Sequence, residues 1–352
     1  MKKCLIVIPA YNPDSELLTY VENLVQFGFD SILVVDDGSA PEKKPLFDKL
    51  EAYSEVTLMC HATNLGKGRA LKNAINYFMN LPNQKQWSGL ITVDSDGQHL
   101  VEDVIKVHKE LIGSATSLIM GTRQFDKGDI PIKSKLGNKV TKVLFKLMYG
   151  KTINDTQTGL RGITKDILPQ FIKLFGERFD YEIHMLIAAV KNKVDIKEIP
   201  IQTIYLNGNS ESHFRPVMDS LEIYGLLFRN FFKYMGVSLM SFLIDISFFQ
   251  LFIVLLGTLT ASRRIVLASI LARIISSLFN YGSNKLYVFK SEKNIQSTVF
   301  KYYLLVVLQV ASSAALVYFF YSLTGISEIF IKVLIDGLLF FFSYRIQKSL
   351  VF

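Results

Sequence analysis

Cysteine and tryptophan are almost missing from this chain: two cysteines and one tryptophan in 352 residues. Cys4 and Cys60 have no metal-ligand neighbours at usable spacing, which excludes a disulfide scaffold and a thiolate metal site and predicts two inert, reduced thiols. A Walker loop is lacking too, since Gly-x-x-x-x-Gly-Lys-Ser/Thr occurs nowhere. Long apolar runs are absent before residue 214. The amino-terminal run Cys4-Leu5-Ile6-Val7-Ile8 resembles a secretion signal, but it is too short and Pro9 and Asn12 break it. It is therefore read as a strand, and the front of the chain is expected to stay in the cytoplasm.

What the front lacks, the back has in excess. Half of all residues are hydrophobic and the mean hydropathy is +0.28. From Phe214 onward the chain becomes apolar stretches split by short polar breaks. From Arg215 there are 13 Lys and Arg against 6 Asp and Glu, so +7 of the formal +8 lies there. A basic excess beside apolar spans points to an anionic membrane surface and away from nucleic acid. Four spans are expected, at about 231–257, 265–288, 299–323 and 327–352, each long enough for a core needing roughly 20 helical residues. Residues 214–230 read as an amphipathic interfacial linker, or in their first half as a helix packed under the front domain.

The back part also repeats itself. Asn280-Tyr281-x-x-Asn284-Lys285-x-x-Val288-Phe289 is echoed by Ser343-Tyr344-x-x-Gln347-Lys348-x-x-Val351-Phe352, and Phe232-Lys233-Tyr234 by Phe300-Lys301-Tyr302. Two related helical hairpins are the simplest account. Lys and Arg cluster on the front-domain side of the spans, with Arg263-Arg264 the exception, which predicts a multi-pass membrane protein with its front domain cytoplasmic. Asp245, Arg273, Lys332 and Asp336 fall inside spans, where charges are costly, and Asp245 is expected to pair with Arg273.

Residues 1–213 alternate strand and helix patterns. Strands are expected at 4–8, 31–35, 56–60, 90–93 and 116–120, and helices at 15–28, 67–80 and 101–112. This is an α/β pattern, a mostly parallel sheet covered by helices. Asp94-Ser95-Asp96 closes the run Leu90-Ile91-Thr92-Val93, and two carboxylates one residue apart at a strand end suit a hard cation with open positions for phosphate oxygens. Open α/β sheets bind ligands at that edge. Asp36 and Asp37, before the turn Gly38-Ser39, suit a ribose or a base edge, or form an Asp-Gly turn without ligand. Asn64-Leu65-Gly66-Lys67-Gly68 opens a helix whose glycines let the backbone approach an anion, or simply cap the helix.

Together these landmarks resemble the family-two glycosyltransferases of GT-A fold, of the dolichyl- and polyprenyl-phosphate sugar transferase type. Pro9-Ala10-Tyr11-Asn12, Val35 to Ser39, Asn64 to Gly68, Asp94 to His99, Gly121-Thr122-Arg123 and Asp155 to Arg161 carry the resemblance. The tail resembles the GtrA-like membrane domains. The resemblance implies that Pro9, Tyr11, Asn12, Asp36, Asp37, Gly66, Lys67 and Asp94-Ser95-Asp96 bind a nucleotide sugar, UDP- or GDP-linked. It implies Mg2+ or Mn2+ on Asp94, Asp96 and Gln98, with Asp94, Asp96, Arg123 and Lys67 serving catalysis. The acceptor phosphate would meet Arg123, Lys133, Lys135, Lys139, His213 or Arg215. The implied activity is inverting transfer of one sugar to a polyprenyl phosphate, undecaprenyl or dolichyl, for cell-envelope glycan or glycoconjugate assembly. The processive synthases' Gln-x-x-Arg-Trp motif is missing around Trp87, which argues for a single transfer. Glu182 reads as an acceptor-side carboxylate or a structural acid at a helix start. A second reading takes the spans as a translocator of lipid-linked sugar, loaded or regulated by the front domain. A homo-oligomer is left open.

Overall fold

The computed structural model describes residues 3–124, 132–202 and 218–352. The chain forms two compact units, Met1–Leu227 and Phe228–Phe352. The first contains a seven-stranded sheet of β1 (Lys3–Ala10), β2 (Ile32–Asp36), β3 (Val56–Cys60), β4 (Trp87–Thr92), β5 (Ser117–Arg123), β6 (Arg161–Thr164) and β7 (Asp195–Ile201), in the order β3-β2-β1-β4-β6-β5-β7. β1 runs parallel to β2 and β4, β2 to β3, and β5 to β7, while β6 is antiparallel to β4 and β5. The sheet is thus mixed but mostly parallel, as the alternation of patterns predicts.

Burial explains each strand's place. Cys4 to Ile8 are buried without interruption, because both faces of β1 are covered. β2, β4, β5 and β6 are almost as fully buried. The edge strands β3 and β7 mix exposed with half-buried positions. Helices α1 (Glu16–Gln26), α2 (Lys44–Glu51), α3 (Lys67–Met79), α4 (Val101–Gly113), α5 (Ile132–Tyr149), α6 (Leu168–Phe171) and α7 (Asp180–Lys191) complete the unit. In α1 the buried stripe is Leu17, Tyr20, Val21 and Leu24, with half-buried Leu18 packed against its edge. It joins a core with Ile6, Ile8, Val34, Ile91, Val104 and Ile119, where each buried aliphatic side chain contributes about 1.5–3 kcal/mol. Cys4 lies in that core, its thiol pushed up to about 12 by burial and then by Asp30, whereas Cys60 is exposed. One thiol per chain should therefore react with a thiol-specific reagent at neutral pH and a second only after denaturation. Two reactive thiols in the native chain would contradict this burial.

The second unit and the helix leading into it comprise α8 (Met218–Leu255), α9 (Ala261–Ser283), α10 (Ile295–Thr324) and α11 (Glu328–Ile346). Among the described residues three helices are long and apolar enough to cross a membrane: Leu221–Leu255, Ala261–Val288 and Ile295–Thr324. The expected fourth span is not among them: α11 carries Lys332, Asp336 and Arg345, and a π-helical turn, Gln347–Val351, continues it as Asn284–Val288 continues α9. Leu239, Phe242, Ile246, Val266, Ile270, Val310, Phe319 and Val333 all point outward, the reverse of a water-soluble bundle. Asp245 pairs with Arg273 at 3.2 Å, as expected from their depth.

The sequence repeat becomes a twofold relation. Tyr234 and Tyr344 stand 5.4 Å apart, and so do their counterparts Tyr302 and Tyr281. Phe289–Tyr344 at 5.8 Å is matched by Phe352–Tyr281 at 5.7 Å. Counterparts also meet each other: Phe289 stacks on Phe352 at 5.3 Å, and Asn284 Nδ2 donates to Gln347 Oε1 at 3.3 Å. Both copies of the motif end in a π-helical turn, Asn284–Val288 and Gln347–Val351.

Candidate active site

The strand order reverses direction between β1 and β4, and the carboxyl ends of strands at such a switch point are where open α/β sheets bind ligands. Asn12, just past β1, has a left-handed backbone, φ 47°. Its Oδ1 accepts from Ala40 N at 2.8 Å, and its own N–H donates to Ser39 Oγ at 2.9 Å. Asp36 Oδ1 accepts from Ser39 N at 2.9 Å. Asp37 is turned inward: it accepts from Leu65 N at 2.9 Å, Gly66 N at 2.8 Å and His61 Nδ1 at 2.7 Å. Asn73 Nδ2 donates to His61 Nε2 at 2.8 Å, which leaves Nδ1–H for Asp37. Asp37 thus anchors a neighbouring loop through both of its oxygens, beside the position where the resemblance implies a nucleoside contact. Pro9 lies within β1 opposite Val35, and Tyr11 is half-buried beside Asn12.

The glycines of the segment 64–68 have a reason other than anion approach. A Cβ on Gly66 (φ +98°) would sit 2.3 Å from the carbonyl oxygen of Glu177, and one on Gly68 2.6 Å from Cβ of Tyr181. They let α3 press against the segment entering α7. That contact delivers Lys67, the first residue of α3, to Asp94. Lys67 Nζ lies 2.7 Å from Asp94 Oδ1 and 3.0 Å from Glu182 Oε1, with the Phe179 ring 5.8 Å away. His99 Nε2 stands 3.3 Å from Asp94 Oδ2. Gly159 completes the cradle, since a Cβ there would fall 2.1 Å from that same oxygen. Gly159 arrives because β6 runs antiparallel, so the loop before it ends at the edge where β4 ends; Thr92 Oγ1 donates to Gly159 O at 2.7 Å.

Electrostatics separate the two aspartates. Burial alone would raise the Asp94 carboxyl, but the charge of Lys67, then the hydrogen bond and charge of His99, outweigh it and hold Asp94 well below the usual range. Asp96 is pushed up, first by burial and then by the charge of Asp94. Gln98 N donates to its Oδ1 at 3.1 Å. Burial opposes the Lys67 ammonium, yet Asp94 and Glu182 more than restore it. Formally Asp94, Asp96 and Glu182 bring three negative charges against one on Lys67, leaving −2. A divalent cation fits that balance, with Asp94 and Asp96 as its carboxylates and Gln98, half-buried beside them, as a neutral oxygen donor. Among the described residues no group of three or more His, Cys, Asp or Glu forms a ready cage, so much of the coordination would be left to other ligands.

A second feature lies at the end of β5. Arg123 makes a two-pronged pair with the fully buried Asp155, Nε to Oδ2 at 2.7 Å and Nη2 to Oδ1 at 2.9 Å. Arg123 therefore reads as half anchor and half lining. A cleft of about 560 Å³ beside it is lined by Arg123, Lys135, Lys139, Lys142, Asn138 and Glu198, among others. Lys135 and Lys139, singled out from the sequence, are exposed on α5; Lys142, one turn further, was not singled out and donates to Asn154 Oδ1 at 2.6 Å. Lys133 is the second residue of that helix. His213 and Arg215 lie outside the described residues. Sequence reasoning also missed Asp155 and Arg161 as the residues that set the loop: Arg161, 1% exposed, donates to the carbonyls of Thr158 at 2.9 Å, Glu182 at 2.8 Å and Thr156 at 3.4 Å. The one signal available was their place in Asp155-Thr156-Gln157-Thr158-Gly159-Leu160-Arg161.

With this geometry in place, comparison with known proteins is specific. Residues 5–171 match the family described as Glycosyl transferase family 2, and residues 233–352 match GtrA/DPMS, transmembrane domain. An uncharacterised protein of Methanocaldococcus jannaschii is 32% identical over 205 residues, covering 57% of this chain and 81% of that protein. The UDP-N-acetylglucosamine--dolichyl-phosphate N-acetylglucosaminyltransferase of Methanococcus voltae is 30% identical over 225 residues, covering 58% and 86%. The dolichyl-phosphate beta-glucosyltransferase of Saccharomyces cerevisiae is 25% identical over 234 residues, covering 58% and 67%.

Proposed function

This chain belongs to glycosyl transferase family 2, and from that premise we propose that it transfers one sugar from a UDP- or GDP-linked donor to a membrane polyprenyl phosphate, with inversion. Residues 1–213 form the catalytic domain on the cytoplasmic face, 214–230 the interfacial linker and 231–352 the four-span domain. The single observation that carries the reading is the cluster of Asp94, Asp96, Glu182 and Lys67 at the switch point of the sheet, with its formal deficit of two charges. The relatives' named acceptor, dolichyl phosphate, supports the lipid.

Asp36, Tyr11 and Asn12 would take the nucleoside, with Asp37 fixing the loop beside them. Asp96, Asp94 and Gln98 would hold Mg2+ or Mn2+, which when bound neutralises the donor diphosphate. Lys135, Lys139 and Lys142 would receive the acceptor phosphate beside Arg123. A lipid monophosphate has its second pKa at about 6 and is largely dianionic near neutral pH, so its oxygen attacks the anomeric carbon without a strong base. The carbon–oxygen bond to the nucleoside diphosphate breaks, and the leaving group keeps the electron pair. Alignment by the loops and charge on Lys67 do the rest. The test is a panel of radiolabelled nucleotide sugars with a polyprenyl phosphate in detergent. One donor should give a chloroform-soluble, acid-labile product that disappears with chelator; no product from any donor would overturn the reading.

The translocator reading draws on one observation, a groove of about 870 Å³ in the membrane unit where Gln309, Ser313, Lys332 and Asp336 interrupt an apolar lining. Transfer to a short water-soluble acceptor by the full chain carrying Asp336→Asn separates the two roles.

A further inference from the structure

The reading above leaves Lys67 doing two incompatible things. It is bonded to Asp94 Oδ1 at 2.7 Å and to Glu182 Oε1 at 3.0 Å, so its charge is already spent on the two carboxylates that flank the cation position. It cannot stay there and also neutralise a departing diphosphate. Its neighbours differ in freedom. Asp94 is held by His99 and the Gly159 cradle. Glu182 is 5% exposed, and its main-chain carbonyl is fixed by Arg161 Nη1 at 2.8 Å. Lys67 has a flexible four-carbon stem, and its head is held by the two ion pairs beside the Phe179 ring.

We propose that Lys67 is an exchangeable counter-cation, docked between Asp94 and Glu182 until a divalent ion and a nucleoside diphosphate arrive, and then turned to the diphosphate. This rests on the transferase reading and assigns Glu182, on α7, as the residue that positions Lys67 and takes it back. The charges account for the exchange. With Lys67 docked the cluster stands at −2, which a divalent ion cancels. The diphosphate of a sugar nucleotide brings two negative charges, and bond cleavage adds another to the leaving group. The ammonium then gains more from the diphosphate than from carboxylates that the ion already neutralises. Before the donor arrives, the same ammonium repels the ion. Metal and nucleotide should therefore bind with strong mutual support, each weak alone.

The experiment is a titration of the full chain in detergent with Mn2+, followed by electron paramagnetic resonance of the free ion, with and without UDP and GDP. Lys67→Met leaves Asp94 with His99 alone and takes the cation from Glu182, which risks misfolding, so it is accompanied by the double variant Lys67→Met/Glu182→Gln, which keeps the formal charge at −2. The native chain should bind Mn2+ weakly alone and at least about tenfold more tightly with nucleotide. Both variants should bind Mn2+ about tenfold more tightly than the native chain without nucleotide and lose most of the nucleotide-dependent gain. Equal Mn2+ affinity for the native chain and the double variant would overturn the exchange while leaving the transferase reading intact. No Mn2+ binding by any of them, even with nucleotide, would overturn the exchange together with the metal assignment.

Discussion

Gly159→Ala is expected to lower sugar transfer by about 100-fold, the scale of a misplacement of about 1 Å at a reacting centre. The new methyl group would begin 2.1 Å from Asp94 Oδ2 and 2.3 Å from Oδ1, far inside contact distance. The glycine cannot retreat, because its carbonyl is tied to Thr92 Oγ1 and the next residue's carbonyl to Gly121 N at 2.9 Å. The carboxylate must yield, and it takes with it the hydrogen bonds to Lys67 and His99. Overpacking of this kind costs about 1–3 kcal/mol of stability, so the chain should still fold, and the measurement is initial rate against thermal midpoint. A variant that transfers sugar at the native rate would mean that the position of Asp94 does not matter, and the site would have to be sought elsewhere.

The second large effect is on stability. Arg161→Met replaces a buried guanidinium by an apolar chain of similar length and strands the carbonyls of Thr156, Thr158 and Glu182. Each orphaned buried acceptor costs about 1–3 kcal/mol, and with partial relaxation the loss should be about 3–5 kcal/mol. For a unit of this size that lowers the midpoint by on the order of 10 °C. The chain's one tryptophan, Trp87, opens β4 and packs edge-on against Phe78 at 5.8 Å, so its fluorescence reports the first unit alone. A midpoint within a degree or so of native would show that other groups satisfy those carbonyls.

Much of the first unit was legible. Strands β1, β2, β4 and β5 read as apolar runs bounded by turn residues because strands buried on both faces have no polar side to alternate with; β3, at the edge, read as a short β-prone run, Val56 to Cys60. Helices α1, α3 and α4 show the spacing of a one-sided stripe. β6 and β7 were not legible, for opposite reasons. Arg161-Gly162-Ile163-Thr164 is too short and too polar, and its arginine is buried only because loop carbonyls come to meet it. Asp195 to Ile201 is an edge strand, with Pro200 near its end and charges facing water. At the site, the residue types were legible and the pairings were not. Spacing left Asp37 open between a ligand contact and a turn, and the glycines around Lys67 open between an anion and a helix cap. The fold points Asp37 at backbone N–H groups and fills the glycine faces with the segment entering α7, relations between segments far apart in the chain. The fourth span is not among the three that length and composition mark, because α11 carries Lys332 and Asp336 one helical turn apart.

The twofold relation inside the membrane unit gives every substitution there an internal counterpart. Changing Asn284 or Gln347, Tyr281 or Tyr344, asks the same question of two copies in one molecule, with lipid, detergent and expression held constant. Where the paired changes cost the same, the residue serves the architecture that the copies share. Where they diverge, the copies have specialised, and the direction of divergence marks which hairpin carries work beyond holding the chain in the bilayer.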